Sequence, residues 1–154
     1  MFRAQFVLGG CSTKRGKDLP ELALGHMLEA LAAWDRDLLE HERARGKPLP
    51  SIYDAHKAGR LKYAREREWV FIRPGVMRAI GREDWIDAVE ALRVGKADCE
   101  DLACWRAAEL RCSGMAARVV FSVKRRPKGR LFHILVERAD GQLEDPSRAL
   151  GMRP

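Results

Sequence analysis

Three residues in the second half of the chain have types and an order suited to nucleophilic catalysis. Cys99 follows Asp98, a residue able to cap a helix, and it opens an apolar helical pattern. His133 lies in a strand pattern, and Asp145 ends the next one. A thiol, an imidazole and a carboxylate on three successive elements can serve as nucleophile, general base and orienting acid. We therefore predict a catalytic site formed by Cys99, His133 and Asp145.

The start of a helix favours a reactive thiol. The helix dipole and the free N–H groups there lower the pKa of a cysteine toward the thiolate. The same N–H groups can stabilise the oxyanion of a tetrahedral intermediate. His133 is expected to pair with the thiolate and later to protonate the leaving group, while Asp145 fixes the tautomer of the imidazole.

Strand geometry decides whether Asp145 can reach His133. Side chains alternate between the two faces of a sheet, so a two-residue turn puts Asp145 on the face opposite to His133. A loop with an odd number of residues puts both on one face. We predict a three-residue loop over 139–141, with Gly141 left-handed and a bulge, which places Asp145 across from Leu135 and diagonal to His133.

Each of these residues also has an ordinary structural explanation. A cysteine that opens a helix is usually a buried apolar residue, and a histidine in an apolar strand is usually part of the core. An aspartate before Pro-Ser is often only a turn residue. The order of the three residues, on three successive elements, favours the catalytic interpretation.

The composition is that of a globular protein. With 46% hydrophobic and 33% charged residues in 154 positions, the chain can form one domain over 1–154. No apolar run reaches the roughly 20 residues that a membrane helix needs, and the apolar N-terminal tract is too short for an export signal. We expect a cytoplasmic protein that does not enter a membrane and whose four cysteines are reduced.

Two parts of the domain differ in their predicted elements. Residues 1–94 are predicted to be mainly helical, with a strand over 2–8, a long helix from about residue 18 to 44, an extended segment over 63–72 and a helix over 82–92. Residues 95–152 are predicted as the catalytic core, a helix followed by an antiparallel meander. The fold class is therefore α+β.

The net charge of +7 comes from 29 basic and 22 acidic residues spread over several clusters. A solvated basic surface explains this charge. An acidic partner or nucleic acid is the alternative, although no nucleic-acid-binding motif accompanies the charge.

Residues 95–152 resemble the transglutaminase-like superfamily of papain-like cysteine enzymes. The likeness rests on Asp98-Cys99-Glu-Asp-Leu-Ala, Gly114-Met-Ala-Ala-Arg118, His133-Ile-Leu-Val136 and Asp140-Gly-Gln-Leu-Glu-Asp145-Pro-Ser. It implies a catalytic helix packed on an antiparallel sheet, with Cys99 as nucleophile, His133 as base and Asp145 as orienting acid. It further implies a cysteine protease or amidohydrolase that cleaves a peptide or isopeptide and requires no cofactor.

The run Asp98-Cys99-Glu100-Asp101 is similar to bacterial transglutaminase-like cysteine proteinases, in which acidic residues beside the nucleophile bind calcium. This likeness implies a calcium site at Asp98, Glu100 and Asp101. The alternative is that these carboxylates only cap the helix and face its dipole. Three carboxylates raise the pKa of a neighbouring thiol, and a cation with oxygen ligands offsets that effect.

The chain is also similar to small stand-alone proteins of bacteriophage and prophage genomes. A second hypothesis is therefore a non-catalytic papain-like module in a phage or bacterial assembly, which binds an acidic protein or nucleic acid. The reactivity of Cys99 distinguishes the two hypotheses, because a relic of an active site need not keep a reactive thiol.

Overall fold

A computed structural model provides the fold of the chain. It describes residues 3–7, 19–65, 68–73, 76–80, 82–126 and 129–153. In chain order the elements are β1 (Arg3–Val7), α1 (Leu19–Ala44), α2 (Ile52–Lys57), β2 (Lys62–Tyr63), β3 (Glu68–Arg73), β4 (Val76–Ile80), β5 (Arg82–Ile86), α3 (Ala88–Val94), β6 (Lys96–Ala97), α4 (Cys99–Cys112), β7 (Ala117–Arg126), β8 (Gly129–Arg138), β9 (Leu143–Glu144) and α5 (Pro146–Ala149).

The second half of the chain forms a helix followed by a three-stranded sheet. The strands lie in the order β7-β8-β9, and both pairings are antiparallel. Helix α4 ends at Cys112, and Gly114 then adopts a left-handed conformation with φ of 77°, which lets the chain turn into β7. The predicted helix and meander of residues 95–152 are confirmed.

Helix α4 is central because it contributes to both hydrophobic clusters. The first cluster joins α4 to α1 and the sheet through Leu28, Leu31, Ala32, Trp85, Ala103, Cys104, Ala107, Leu110, Val119, Ile134 and Val136. The second joins it to α2, α3 and the residues around α5 through Ile52, Ala55, Leu61, Ile86, Ala88, Ala91, Ala97, Leu102, Trp105 and Leu150. Because both sides of α4 are packed, its N-terminus is fixed relative to the sheet.

The helix predicted over 82–92 is wrong at its start. Residues 82–86 form strand β5, which pairs antiparallel with β1, and the helix begins only at Ala88. Asp87 has an extended backbone, and its side chain accepts a hydrogen bond from the N–H of Glu90 at 2.8 Å. A capping aspartate ends the strand and begins the helix, and this local signal outweighs the helical spacing of the apolar residues.

Residues 1–94 contain the predicted helices together with short strands. Helix α1 ends at Ala44, as its periodicity predicts, and α2 begins after the N-cap Ser51. Strands β3 and β4 form an antiparallel hairpin, while β2 pairs in parallel with β6, which directly precedes α4. Within the described ranges, no helix is long and apolar enough to cross a bilayer.

Candidate active site

Cys99 is the first residue of α4 and lies against strand β8. It packs against the hydrophobic cluster that contains Ile134, the residue directly after His133. The thiol donates a hydrogen bond to Glu100 Oε2 at 3.2 Å. The nucleophile therefore lies beside the strand that carries the predicted base.

His133 and Asp145 form a direct hydrogen bond. The distance from His133 Nε2 to Asp145 Oδ2 is 2.8 Å, and both side chains are about one-fifth exposed. A partly buried imidazole–carboxylate pair has a defined orientation, because the carboxylate selects the tautomer with hydrogen on the bonded nitrogen.

The predicted hairpin register is confirmed. Val136 pairs with Glu144 and Glu137 with Leu143, and the N–H of Arg138 bonds the carbonyl of Gln142, so the loop comprises residues 139–141. Gly141 has a φ of 77°, the left-handed conformation that a three-residue loop needs. Asp145 follows β9 by one residue, on the face of the sheet toward His133.

Asp145 has a second role as the N-cap of α5. Its Oδ1 accepts a hydrogen bond from the N–H of Arg148 at 3.1 Å, and Arg148 Nε lies 3.3 Å from Oδ2. Both carboxylate oxygens are thus fixed by α5 while one of them bonds His133. Sequence reasoning missed Arg148, although its spacing of three residues from Asp145 is that of a helix cap.

The environment of Cys99 corrects one expectation. Burial raises the pKa of the Cys99 thiol, and the negative charges of Glu100 and Asp98 raise it further, while the nearby backbone of Ile134 lowers it in part. The helix N-terminus was expected to lower this pKa. Burial and two adjacent carboxylates outweigh the dipole, so the resting group is a thiol.

The three acidic residues next to Cys99 do not fit the predicted calcium site. Asp98, Glu100 and Asp101 are all buried, but Asp101 Oδ1 accepts a hydrogen bond from the N–H of Ile86 and Oδ2 one from that of Asp98. Among the described residues, no group of three acidic, histidine or cysteine side chains is placed to hold a metal. The arrangement instead supports the alternative: Asp98 is the N-cap of α4, and Asp101 in the first turn accepts a hydrogen bond from its N–H.

Tyr63 is a site residue that sequence reasoning missed. It lies on β2, and burial together with the negative charges of Asp98 and Glu100 beside Cys99 raises its pKa to about 12. Its hydroxyl therefore stays protonated at neutral pH. The only sequence signal is its place in an extended segment, which does not reveal that β2 pairs with β6 immediately before α4.

The other described cysteines are not part of the site. Cys104 is fully buried and its thiol lies 3.3 Å from the carbonyl of Leu28, whereas Cys112 lies at the opposite end of α4. Both are free thiols, and Cys11 lies outside the described residues. The prediction that Cys104 packs as a small apolar residue is confirmed.

Comparison with family models gives one match. Residues 45–143 match the model described as the transglutaminase-like superfamily. The match contains Cys99 and His133, ends just before Asp145, and begins well upstream of residue 95, where the sequence resemblance begins. Comparison with curated proteins and with solved structures gives no significant match. Since the matched range is more than half of an α+β chain with a helix packed on an antiparallel sheet, this protein belongs to the transglutaminase-like superfamily.

Proposed function

We propose that this protein is a cysteine hydrolase that cleaves a peptide or isopeptide amide through an acyl-enzyme. Cys99 is the nucleophile, His133 the general base and Asp145 the orienting acid. The observation that supports this proposal most strongly is the 2.8 Å hydrogen bond between His133 and Asp145, formed on a strand against which Cys99 packs.

The hydrogen bond assigns a role to each imidazole nitrogen. We assign the hydrogen to Nε2 of His133, which lies 2.8 Å from Asp145 Oδ2, because an ionised carboxylate only accepts hydrogen bonds. Nδ1 then carries the lone pair and is the nitrogen that accepts the proton of Cys99. Because the resting Cys99 is a thiol, proton transfer to Nδ1 accompanies the attack on the carbonyl carbon rather than preceding it.

The reaction then runs in two balanced steps. The Cys99 sulfur forms a thioester with the acyl group, and His133 passes the proton to the leaving amine as the amide bond breaks. In the second step His133 deprotonates a water molecule, which attacks the thioester and releases a carboxylic acid. The proton returns to Cys99, and the free thiol is restored.

The oxyanion of each tetrahedral intermediate needs hydrogen-bond donors beside Cys99. Backbone N–H groups in the first turn of α4 point along the positive end of the helix dipole, and we assign them to this role.

Hydrolysis of a peptide pool in water enriched in ¹⁸O tests this proposal. Wild type is expected to produce new carboxyl termini that carry ¹⁸O, while Cys99→Ala and His133→Ala produce none above background. Cys112→Ser is the matched control, since it removes a thiol from the opposite end of the same helix. Equal product from Cys99→Ala and wild type would exclude Cys99 as nucleophile, and no product from any form would count against hydrolysis.

A second candidate is a non-catalytic module in a phage or bacterial assembly that binds an acidic protein or nucleic acid. The raised pKa of Cys99 favours it, and so does an exposed lysine pair. Lys62 and Lys96 lie directly opposite each other in the β2–β6 pair, and within the described residues neither forms an ion pair. Two like charges in this position are destabilising, which a bound anion would reverse.

Binding of labelled polyglutamate and of an oligothymidylate tests this second candidate. The double variant Lys62→Gln/Lys96→Gln is expected to bind either probe about tenfold more weakly. The control Arg43→Gln/Lys47→Gln removes the same charge from exposed residues near the C-terminus of α1. Equal losses in both variants would show that only net charge matters. The cytoplasmic location predicted from the sequence remains part of the proposal.

A further inference from the structure

Arg106 is the centre of a charged network on the catalytic helix. It lies about two turns after Cys99, and its guanidinium bonds two carboxylates: Nε lies 2.6 Å from Glu144 Oε1, and Nη1 lies 3.0 Å from Glu109 Oε2. The guanidinium carbon is 5.1 Å from the centre of the Tyr53 ring. The hydroxyl of Tyr53 donates a hydrogen bond to the same Glu144 oxygen.

The network joins three elements. Arg106 and Glu109 belong to α4, Glu144 belongs to β9, and α2 is attached through Tyr53 and through the N–H of Ile52, which lies 2.7 Å from Glu109 Oε1. The side chains of Arg106, Glu109 and Glu144 are 20%, 12% and 19% exposed. In such a shielded setting, hydrogen bonds between charged groups are stronger than at the surface.

Glu144 stays ionised in this environment. Burial raises the pKa of Glu144, but the hydrogen bonds from Arg106 and Tyr53 outweigh that effect, and the net shift is downward. Loss of the guanidinium would therefore leave a partly buried carboxylate without its cationic partner. Such a group is expected to move toward solvent.

Movement of Glu144 would displace Asp145, which is the next residue in the chain. Strand β9 has only two residues, and the side chain of Leu143 is mostly exposed, so Glu144 supplies the side-chain attachment of this strand. Side chains alternate along an extended chain, so Glu144 turns toward α4 while Asp145 turns toward His133. The attachment of Glu144 therefore contributes to the position of Asp145, together with the bonds of Asp145 to Arg148 on α5.

We propose that Arg106 is a positioning residue for the candidate triad. By holding Glu144, it fixes the end of β9 and places Asp145 within hydrogen-bond distance of His133, although it touches no reacting atom. This inference rests on the proposed function for the role of His133 as base. The network itself spans the helix that presents Cys99 and the strand that presents Asp145, so it ties two members of the triad together.

The first test is the pH profile of Cys99 alkylation by iodoacetamide, read by mass spectrometry. Arg106→Gln is expected to label at least about tenfold more slowly than wild type at pH 7. Its profile should shift in the same direction as that of Asp145→Asn. Arg106→Lys, which keeps a cation for Glu144, is expected to recover most of the rate.

Arg111→Gln is the matched control. Arg111 lies on the same helix with 19% exposure and makes an equivalent 2.6 Å ion pair with Glu29, but it bonds the carbonyl of Ala117 at the start of β7. It is expected to lose stability like Arg106→Gln and to keep the wild-type pH profile. An equal change in both profiles would mean that Arg106 acts only through general stability, which would overturn the proposal.

A double variant tests the coupling to Asp145. If Arg106 acts through Asp145, the variant Arg106→Gln/Asp145→Asn should label within about twofold of Asp145→Asn alone. If the fold-reduction in the labelling rate of the double variant equals the product of the two single reductions, the residues act independently. That result would also overturn the proposal.

A readout that does not depend on catalysis separates this proposal from the proposed function. ¹⁵N NMR of the His133 ring is expected to show hydrogen on Nε2 in wild type and in Arg111→Gln, and a mixture of tautomers in Arg106→Gln. An unchanged tautomer in Arg106→Gln contradicts the positioning role. Lack of Cys99 reactivity in wild type contradicts the proposed hydrolase, and the NMR comparison still decides the role of Arg106.

Discussion

His133 Nε2 and Asp145 Oδ2 lie 2.8 Å apart; His133 belongs to β8, and Asp145 directly follows β9, which a loop of three residues joins to β8. This contact depends on the odd length of the loop, because an even number would turn Asp145 to the other face of the sheet. The same aspartate caps α5 through the N–H of Arg148. One carboxylate therefore ends a strand, begins a helix and orients an imidazole.

The two roles of Asp145 can be separated by substitution. Asn is as good an N-cap as Asp, so Asp145→Asn is expected to unfold near the wild-type urea concentration, whereas Asp145→Ala loses about 1 kcal/mol. Both are expected to reduce Cys99-dependent hydrolysis or alkylation about 100-fold, because neither keeps the charge that orients His133. Full activity in Asp145→Asn would exclude a catalytic role for the charge.

Glu100 contributes to the protonation state of the nucleophile. Its Oε2 lies 3.2 Å from the Cys99 sulfur, and its charge raises the pKa of Cys99 in addition to the effect of burial. Glu100→Gln removes that charge, so the pKa of Cys99 falls and the thiolate fraction at a given pH rises. We expect alkylation of Cys99 at pH 7 to become about tenfold faster.

The control for this variant is Glu40→Gln. Glu40 is exposed on α1, and its charge raises the pKa of Cys112, at the opposite end of α4. The Glu40→Gln variant is expected to leave the alkylation rate of Cys99 unchanged. A Glu100→Gln rate equal to that of wild type would mean that burial alone determines the state of the thiol.

Local patterns predicted the parts of the site that depend on sequence-adjacent geometry. The helix start at Cys99, the left-handed Gly141 and the face on which Asp145 lies all follow from caps, turn chemistry and the two-residue period of strands. These features are set within a few residues of each position. The structure confirms each of them.

The sequence patterns did not predict the features that depend on contacts between distant segments. The place of Tyr63 opposite Ala97, two residues before Cys99, depends on a parallel pairing between β2 and β6, and the pKa of Cys99 depends on burial by other elements. The apolar spacing of residues 82–86 indicates a helix, although these residues form β5 by pairing with β1, which lies far away in the chain. Periodicity describes one segment at a time and carries no signal for such contacts.

The buried Asp35 makes the free energy of unfolding depend on pH. It is fully buried, its Oδ1 accepts a hydrogen bond from the N–H of Ala88 at 2.9 Å, and burial raises its pKa well above the usual range, with smaller contributions from Asp87 and Glu109. A pKa raised by folding means that stability is greatest below the unfolded pKa and falls as pH rises toward the folded pKa.

Asp35→Asn keeps an acceptor for Ala88 and removes the ionisable group. We compare the free energies of unfolding of the variant and of wild type. The difference is expected to shift in favour of the variant by on the order of 1 kcal/mol as the pH rises from 4 to 8. Urea unfolding at both pH values measures this difference. A difference that does not change with pH would show that Asp35 has the same pKa in the folded and unfolded chains.

Substitutions at Gly141 test whether the hairpin loop controls the position of Asp145. Its φ of 77° is strained for a β-branched residue but accessible to asparagine, and no heavy atom lies within 4 Å of a Cβ built at this position. Gly141→Val is therefore expected to lose about 1–2 kcal/mol of stability and to label Cys99 more slowly, because the loop fixes the register of Asp145. Gly141→Asn should keep most of both properties. If Gly141→Val loses stability while its labelling profile stays at the wild-type level, the loop contributes to folding and not to the placement of Asp145.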